Sequence, residues 1–106
     1  MADGLFLAFT HPSSPDLEGE MNRWYTECHL PEILRLDGVT SASRFRSLDL
    51  DPDFRYLAAY SLRGDDLHEI VCRIFADGPN RTPTEATRRR PPTAFKLYEF
   101  LETQRG

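Results

Sequence analysis

The apolar positions of this chain change period several times, and each change marks an element. Leu5-Phe6-Leu7-Ala8-Phe9-Thr10 is a short apolar run closed by the turn formers His11-Pro12-Ser13-Ser14-Pro15-Asp16, and it reads as a first strand. Met21, Trp24, Tyr25 and Cys28 then follow at i, i+3, i+4 and i+7, which is one face of a helix. Its start falls between Ser14 and Glu20: Ser14 before Pro15 resembles a cap followed by a first helical residue, and Gly19 weakens the early turn. Pro31 interrupts the pattern. It disfavours helical geometry at Leu30 and leaves the Glu27 carbonyl without its hydrogen bond. A short restart carries Ile33 and Leu34, and Gly38 ends the unit.

Val39 to Leu48 reads as a second strand, and Asp49-Leu50-Asp51-Pro52-Asp53 as a loop. Phe54 to Leu62 is a third strand with Tyr56, Ala58, Tyr60 and Leu62 on one face and Leu57, Ala59 and Ser61 on the other. An aspartate of the Asp65-Asp66 pair caps the next helix, whose stripe is Leu67, Ile70, Val71, Ile74 and Phe75. Residues 77–93 show no apolar period and hold Pro79, Pro83, Pro91 and Pro92 with four arginines; they read as a long connection with at most one helical turn near Glu85 and Ala86. Ala94 to Leu101 is the last strand, with Phe95, Leu97 and Leu101 on one side and Lys96, Tyr98 and Phe100 on the other. The order β-α-β-β-α-β predicts an α+β, ferredoxin-like βαββαβ fold: a four-stranded antiparallel sheet with two helices on one face. The uncovered face carries apolar and aromatic side chains, so a second copy stacking there is expected to bury both and enclose a cavity.

Composition narrows the classes. The 106 residues are one domain, 1–106, with a core thin enough to benefit from pairing. A net charge of −4 argues against a nucleic-acid binder and against a polybasic membrane-surface protein. Asp3 stands where a signal peptide carries positive charge, and no apolar stretch approaches the length of a membrane span. Two cysteines, Cys28 and Cys72, do not make a disulfide framework; both fall inside apolar helical patterns as small buried residues, and a cytoplasmic location is expected.

The segment Asn22-Arg23-Trp24-Tyr25-Thr26-Glu27-Cys28-His29-Leu30-Pro31-Glu32-Ile33-Leu34, with Gly38 and Ser43-Arg44-Phe45, resembles the dimeric α+β barrel superfamily and within it the EthD-like branch. The shared pattern is a Trp-Tyr pair, a His-x-Pro, a leucine, a glycine and an Arg-aromatic on the next strand. The motif covers about a quarter of the chain, and the element order extends the likeness to nearly all of it. That superfamily includes polyketide cyclases, muconolactone isomerases, cofactor-independent monooxygenases and haem-degrading enzymes. The resemblance implies a homodimer with facing sheets and, in each protomer, a pocket between sheet and helices. The Pro- and Arg-rich stretch Thr82 to Pro92 departs from the family's pattern.

His29 is the leading candidate for acid/base chemistry, with a pKa expected near neutrality at the end of the first helix. Glu32, three residues on, is placed to hold one ring nitrogen; the competing role for His29 is to cap free carbonyls at the break. Arg44 on the second strand can polarise an enolate or phenolate oxygen, or bridge to an acid at a dimer rim. Tyr60 and Tyr98 can donate from a pocket wall, and Trp24 and Tyr25 can contact the substrate, though all four serve equally as packing aromatics. No ligand spacing predicts a metal, and no phosphate loop or dinucleotide fingerprint predicts a cofactor. His11 is expected in solvent, and Arg88-Arg89-Arg90 either clamps an anion or lies solvated. Three functions are open: a cofactor-free enzyme that cyclises, isomerises or dehydrates a hydrophobic polyketide-like or aromatic substrate; a cofactor-independent monooxygenase on an electron-rich aromatic; and a non-catalytic ligand-binding or accessory homodimer.

Overall fold

The computed structural model describes residues 1–106 as a single antiparallel sheet in the order β2-β3-β1-β4. The strands are β1 (Ala2–Thr10), β2 (Val39–Arg46), β3 (Tyr56–Gly64) and β4 (Ala94–Glu99). The first crossover is helical over 18–34: α1 (Glu18–Trp24), a π-helical turn (Tyr25–His29) and α2 (Leu30–Leu34). The second is α3 (Leu67–Ala76). This is the expected ferredoxin-like α+β fold, a four-stranded antiparallel sheet with two helical crossovers. No helix is long and apolar enough to cross a membrane.

Strand alternation sorts the side chains. Phe6, Ala8 and Thr10 of β1 lie opposite Tyr60, Ala58 and Tyr56 of β3, and all are buried. Met21, Tyr25 and Ile33 of the first crossover and Leu67, Ile70 and Ile74 of α3 complete the core with them. Asp66 caps α3 through its side chain, which accepts the Glu69 N–H at 3.3 Å. Gly38 turns the chain from α2 into β2 at φ 97°, a conformation with no place for a side chain because Ile70 packs against its Cα.

Several expected boundaries move. β1 begins at Ala2, β2 stops at Arg46, and β3 runs from Tyr56 to Gly64. β4 stops at Glu99, opposite Gly4, short of the expected Leu101; past it the Phe100 N–H still donates to the Asp3 carbonyl at 2.7 Å before the chain leaves the sheet. Pro31 does not break the first helix: Leu30 stays helical at φ −62°, ψ −48° and donates its N–H to the Tyr25 carbonyl, five residues back. The wider turn carries the helix past a residue with no N–H to give. Residues 77–93 contain a 3-10 turn at Gly78–Asn80, not at Glu85 and Ala86. Ala86 is instead a core residue, and Thr87 bridges to Pro12. His11 is engaged, accepting the Arg55 N–H on Nδ1 at 3.2 Å. Cys28 is partly buried, and Cys72 faces outward on α3.

Candidate functional site

The π turn decides how the aromatic motif is arranged. Residues five apart are about 140° apart around a regular α-helix, but i→i−5 bonding sets them nearly over one another. Trp24 and His29 are five apart, and their rings stack at 4.3 Å with 21° between planes. Tyr25 meets both edge-on, at 4.9 Å from Trp24 and 5.1 Å from His29. The sequence pattern therefore produces one aromatic cluster carrying a single imidazole.

This cluster forms one wall of a cavity of about 290 Å³ between the sheet and the helices. Phe6, Ala8 and Tyr60 of the sheet form its floor, and Ile74 and Phe75 of α3 a second wall. Phe75 and Phe95, both half-exposed, are its outer rim. Phe6 and Phe95 stack at 5.4 Å, and the Phe75 ring stands edge-on to both. The cover is the long connection, which supplies Arg81, Pro83, Thr84 and Thr87, with Thr93 beyond.

The cover is fastened on two sides. Trp24 donates its Nε1–H to the Thr82 carbonyl at 3.0 Å. Both Glu32 carboxylate oxygens accept the Thr82 N–H at 3.1 Å, and one accepts its hydroxyl at 3.2 Å. On the other side the Ser13 N–H donates to the Ala86 carbonyl at 2.7 Å and the Arg88 N–H to the His11 carbonyl at 2.8 Å. The Arg88 guanidinium reaches the Asp53 carbonyl at 2.6 Å. The arginine run is thus an anchor at Arg88 and exposed at Arg89 and Arg90, and none of the three lines the cavity.

His29 is mostly buried, and its pKa is held down to about 4, first by burial and then by the charges of Arg81 and Arg44, with Glu32 opposing them. This corrects the expected near-neutral value. The helix runs on to Leu34, so the ring does not stand at a helix C-terminus that would favour its charged form. Glu32 is engaged by Thr82 and does not hold the imidazole. His29 Nδ1 is buried without a hydrogen-bond partner. Tyr60 Oη is likewise buried and unpartnered, and burial pushes that phenol well above its usual pKa.

Arg44 is brought near this group but does not line the cavity. Its guanidinium lies over the Tyr25 ring at 4.2 Å and the Tyr56 ring at 5.0 Å, so it backs the aromatic wall from behind. Tyr56 is itself held by Glu18, to which its hydroxyl donates, and by Asn22. Tyr98 does not join the site: it pairs with Leu5 on the uncovered face, half-exposed. Strand alternation decides this, because the odd-numbered neighbours Phe95 and Leu97 take the helix side. His29, Tyr60, Trp24 and Tyr25 are brought together around one space; Arg44 stands behind it and Tyr98 across the sheet. Arg81, Thr84 and Thr87 were not singled out from sequence, Phe75 was read only as part of the α3 stripe, and Arg81 carried only a loop composition as its signal.

A shallower depression of about 390 Å³ lies on the uncovered face, among Phe9, Phe45, Phe54 and Leu57. Its charged residues Arg46, Asp51, Arg55 and Lys96 are solvent-exposed, so it lacks the desolvated polar atoms of the inner cavity. No group of three or more His, Cys, Asp or Glu side chains is arranged to hold a metal ion.

A ferredoxin-like domain with a cavity between sheet and helices is the class these features define. Its likeness to known proteins agrees. The chain superposes on a candidate monooxygenase from Shewanella loihica PV-4 with a TM-score of 0.59 and 14% identity, covering 97% of this chain and 99% of that one. At that identity the likeness is one of fold. In sequence, the chain is 28% identical over 110 residues to core atranone cluster protein 1 of Stachybotrys chlorohalonatus (strain IBT 40285), over 95% of this chain and 46% of that protein. The chain thus spans about half the length of that relative. No family model matches it.

Proposed function

We propose that this chain is a cofactor-free enzyme of small-molecule metabolism, an EthD-like member of the dimeric α+β barrel superfamily. It cyclises, isomerises or dehydrates a polyketide-like or aromatic substrate by proton transfer. The observation that carries this reading is a set of desolvated polar atoms, His29 Nδ1, Tyr60 Oη and Thr87 Oγ1, left unpartnered on residues that line one aromatic-walled cavity. Buried polar groups are nearly always paired, so those left over at a cavity are where a ligand or a water would bind. The relative named for a core atranone cluster supports a place in secondary metabolism.

At neutral pH the imidazole is unprotonated, because its pKa lies near 4. It is therefore available to take a proton from an activated carbon or hydroxyl of the substrate. The electron pair left behind moves to the neighbouring carbonyl, and the Tyr60 O–H donates to that developing oxyanion. Its negative charge beside the ring raises the imidazole's basicity as the proton moves. His29 then returns the proton to the rearranged skeleton or to a departing hydroxide. Trp24, Tyr25 and the Phe6–Phe95 pair orient flat rings.

A second reading takes its support from the monooxygenase designation of the structural neighbour. In it the same deprotonation gives a carbanion that reduces dioxygen: a CH2 becomes a C=O, one oxygen atom enters the product and the other leaves as water. Mass spectrometry and an oxygen electrode separate the two. Incubation with hydroxylated aromatics and poly-β-ketone analogues is expected to give products of unchanged mass or lacking water, with no oxygen consumed. His29→Gln is expected to lower turnover by about 100-fold or more while the protein stays folded; undiminished turnover overturns either reading.

A further inference from the structure

We infer that the cavity selects a flat aromatic molecule bearing an anionic oxygen, a carboxylate or enolate, and that Arg81 is the residue that recognises it. The inference rests on the reading of the cavity as a substrate site and adds the charge of the occupant. Arg81 is the one charged side chain among those lining the space. It is only 12% exposed and is fixed in place: Nη1 donates to the Ile74 carbonyl at 2.7 Å and pairs with Asp77 Oδ2 at 3.2 Å. Both bonds use the same nitrogen, so Nε and Nη2 have no protein partner. A guanidinium edge with free N–H groups beside an apolar space matches the two-oxygen geometry of a carboxylate or of an enolised dicarbonyl.

Asp77 offsets part of that charge, yet the groups inside the cavity still respond to Arg81. Arg81 and Arg44 both act to lower the pKa of His29, and both stabilise the ionised form of Tyr60. Glu32 is the acid that opposes them at His29, and its carboxylate is engaged by Thr82. The unpartnered polar atoms agree in kind: Tyr60 Oη and Thr87 Oγ1 are buried hydroxyls able to donate to an oxyanion. Little water shields these donors, so each counts for more than at a surface.

Calorimetric titration with 2-naphthoate and with 2-naphthamide, equal in shape and different in charge, tests this. The carboxylate is expected to bind at least about 10-fold more tightly, as a charge-assisted hydrogen bond provides. Arg81→Met is expected to erase that preference and leave the amide's affinity within about 2-fold, and Arg81→Lys to keep part of it. Because Arg81 also holds the end of α3, the comparison within the unmodified protein stands alone if the Met variant does not fold. Equal affinities there overturn the assignment of charge and leave the cavity as a substrate site. If neither ligand binds, and the emission of Trp24, the only tryptophan, does not respond, both are overturned.

Discussion

The burial proposed to make His29 a base also carries a measurable cost in stability. Its folded pKa of about 4 lies below the usual 6.5, so between those values the unfolded chain takes up a proton that the folded one refuses. Stability from this group is complete above about pH 6.5 and is lost as pH falls towards 4, at about 1.4 kcal/mol per unit and about 3 kcal/mol in all. Urea unfolding midpoints measured from pH 7 to pH 4 are expected to fall, and His29→Gln to flatten that fall; equal slopes count against the buried neutral ring. Tyr60 makes the opposite prediction for stability. Its hydroxyl is buried and unpartnered, so Tyr60→Phe is expected to leave the melting temperature unchanged or raise it, by up to about 1 kcal/mol, while turnover drops 10-fold or more. A clear loss of stability would show that the hydroxyl has a partner in the folded protein. His29, Trp24 and Tyr25 were legible in the sequence as a motif. The environment of the imidazole was not, since it depends on Arg81, which lies 52 residues away along the chain.

At the scale of elements, the first helix and the long connection explain each other. Pro31 was legible as an irregularity, but a missing N–H can end a helix or widen it, and the sequence does not choose. Here the turn widens, because both halves bury side chains, Met21 and Tyr25 on one side and Ile33 on the other. The connection at 77–93 had no periodicity to read, since its order comes from contacts with other elements. Glu32 and Trp24 receive Thr82, and the Ser13 and Arg88 bonds fasten the far end. Glu32→Ala removes three acceptor contacts from Thr82 and is expected to speed amide hydrogen exchange in residues 82–87 by about 10-fold, with little change in the sheet. Unchanged exchange there would mean that the Trp24 bond and core packing of Ala86 suffice.

For the whole molecule, the uncovered face remains the dominant open feature. Leu5, Phe45 and Tyr98 stand about half-exposed on it, around Leu57 and Ala59. The homodimer proposed with the function uses this face, and a charge placed in it should prevent association. Phe45→Glu is expected to sediment as a monomer where the unmodified protein sediments as a dimer at micromolar concentration. Because Phe45 is already exposed, the variant should keep its fold by circular dichroism. A monomeric unmodified protein ends the dimer proposal without touching the inner cavity, whose lining comes from one chain.

What the sequence alone determined was the order of elements, the faces of β3 and α3, and the aromatic-imidazole motif, because each is written in the spacing of near neighbours. Only the tertiary structure decided which groups share the cavity. It placed Tyr98 on the face away from the helices, set Arg44 behind Tyr25, brought Arg81 and Thr87 into one cavity lining with His29, and lowered the imidazole's pKa by burial. Those outcomes depend on strand register and on burial among residues distant in the chain, and a local pattern carries neither.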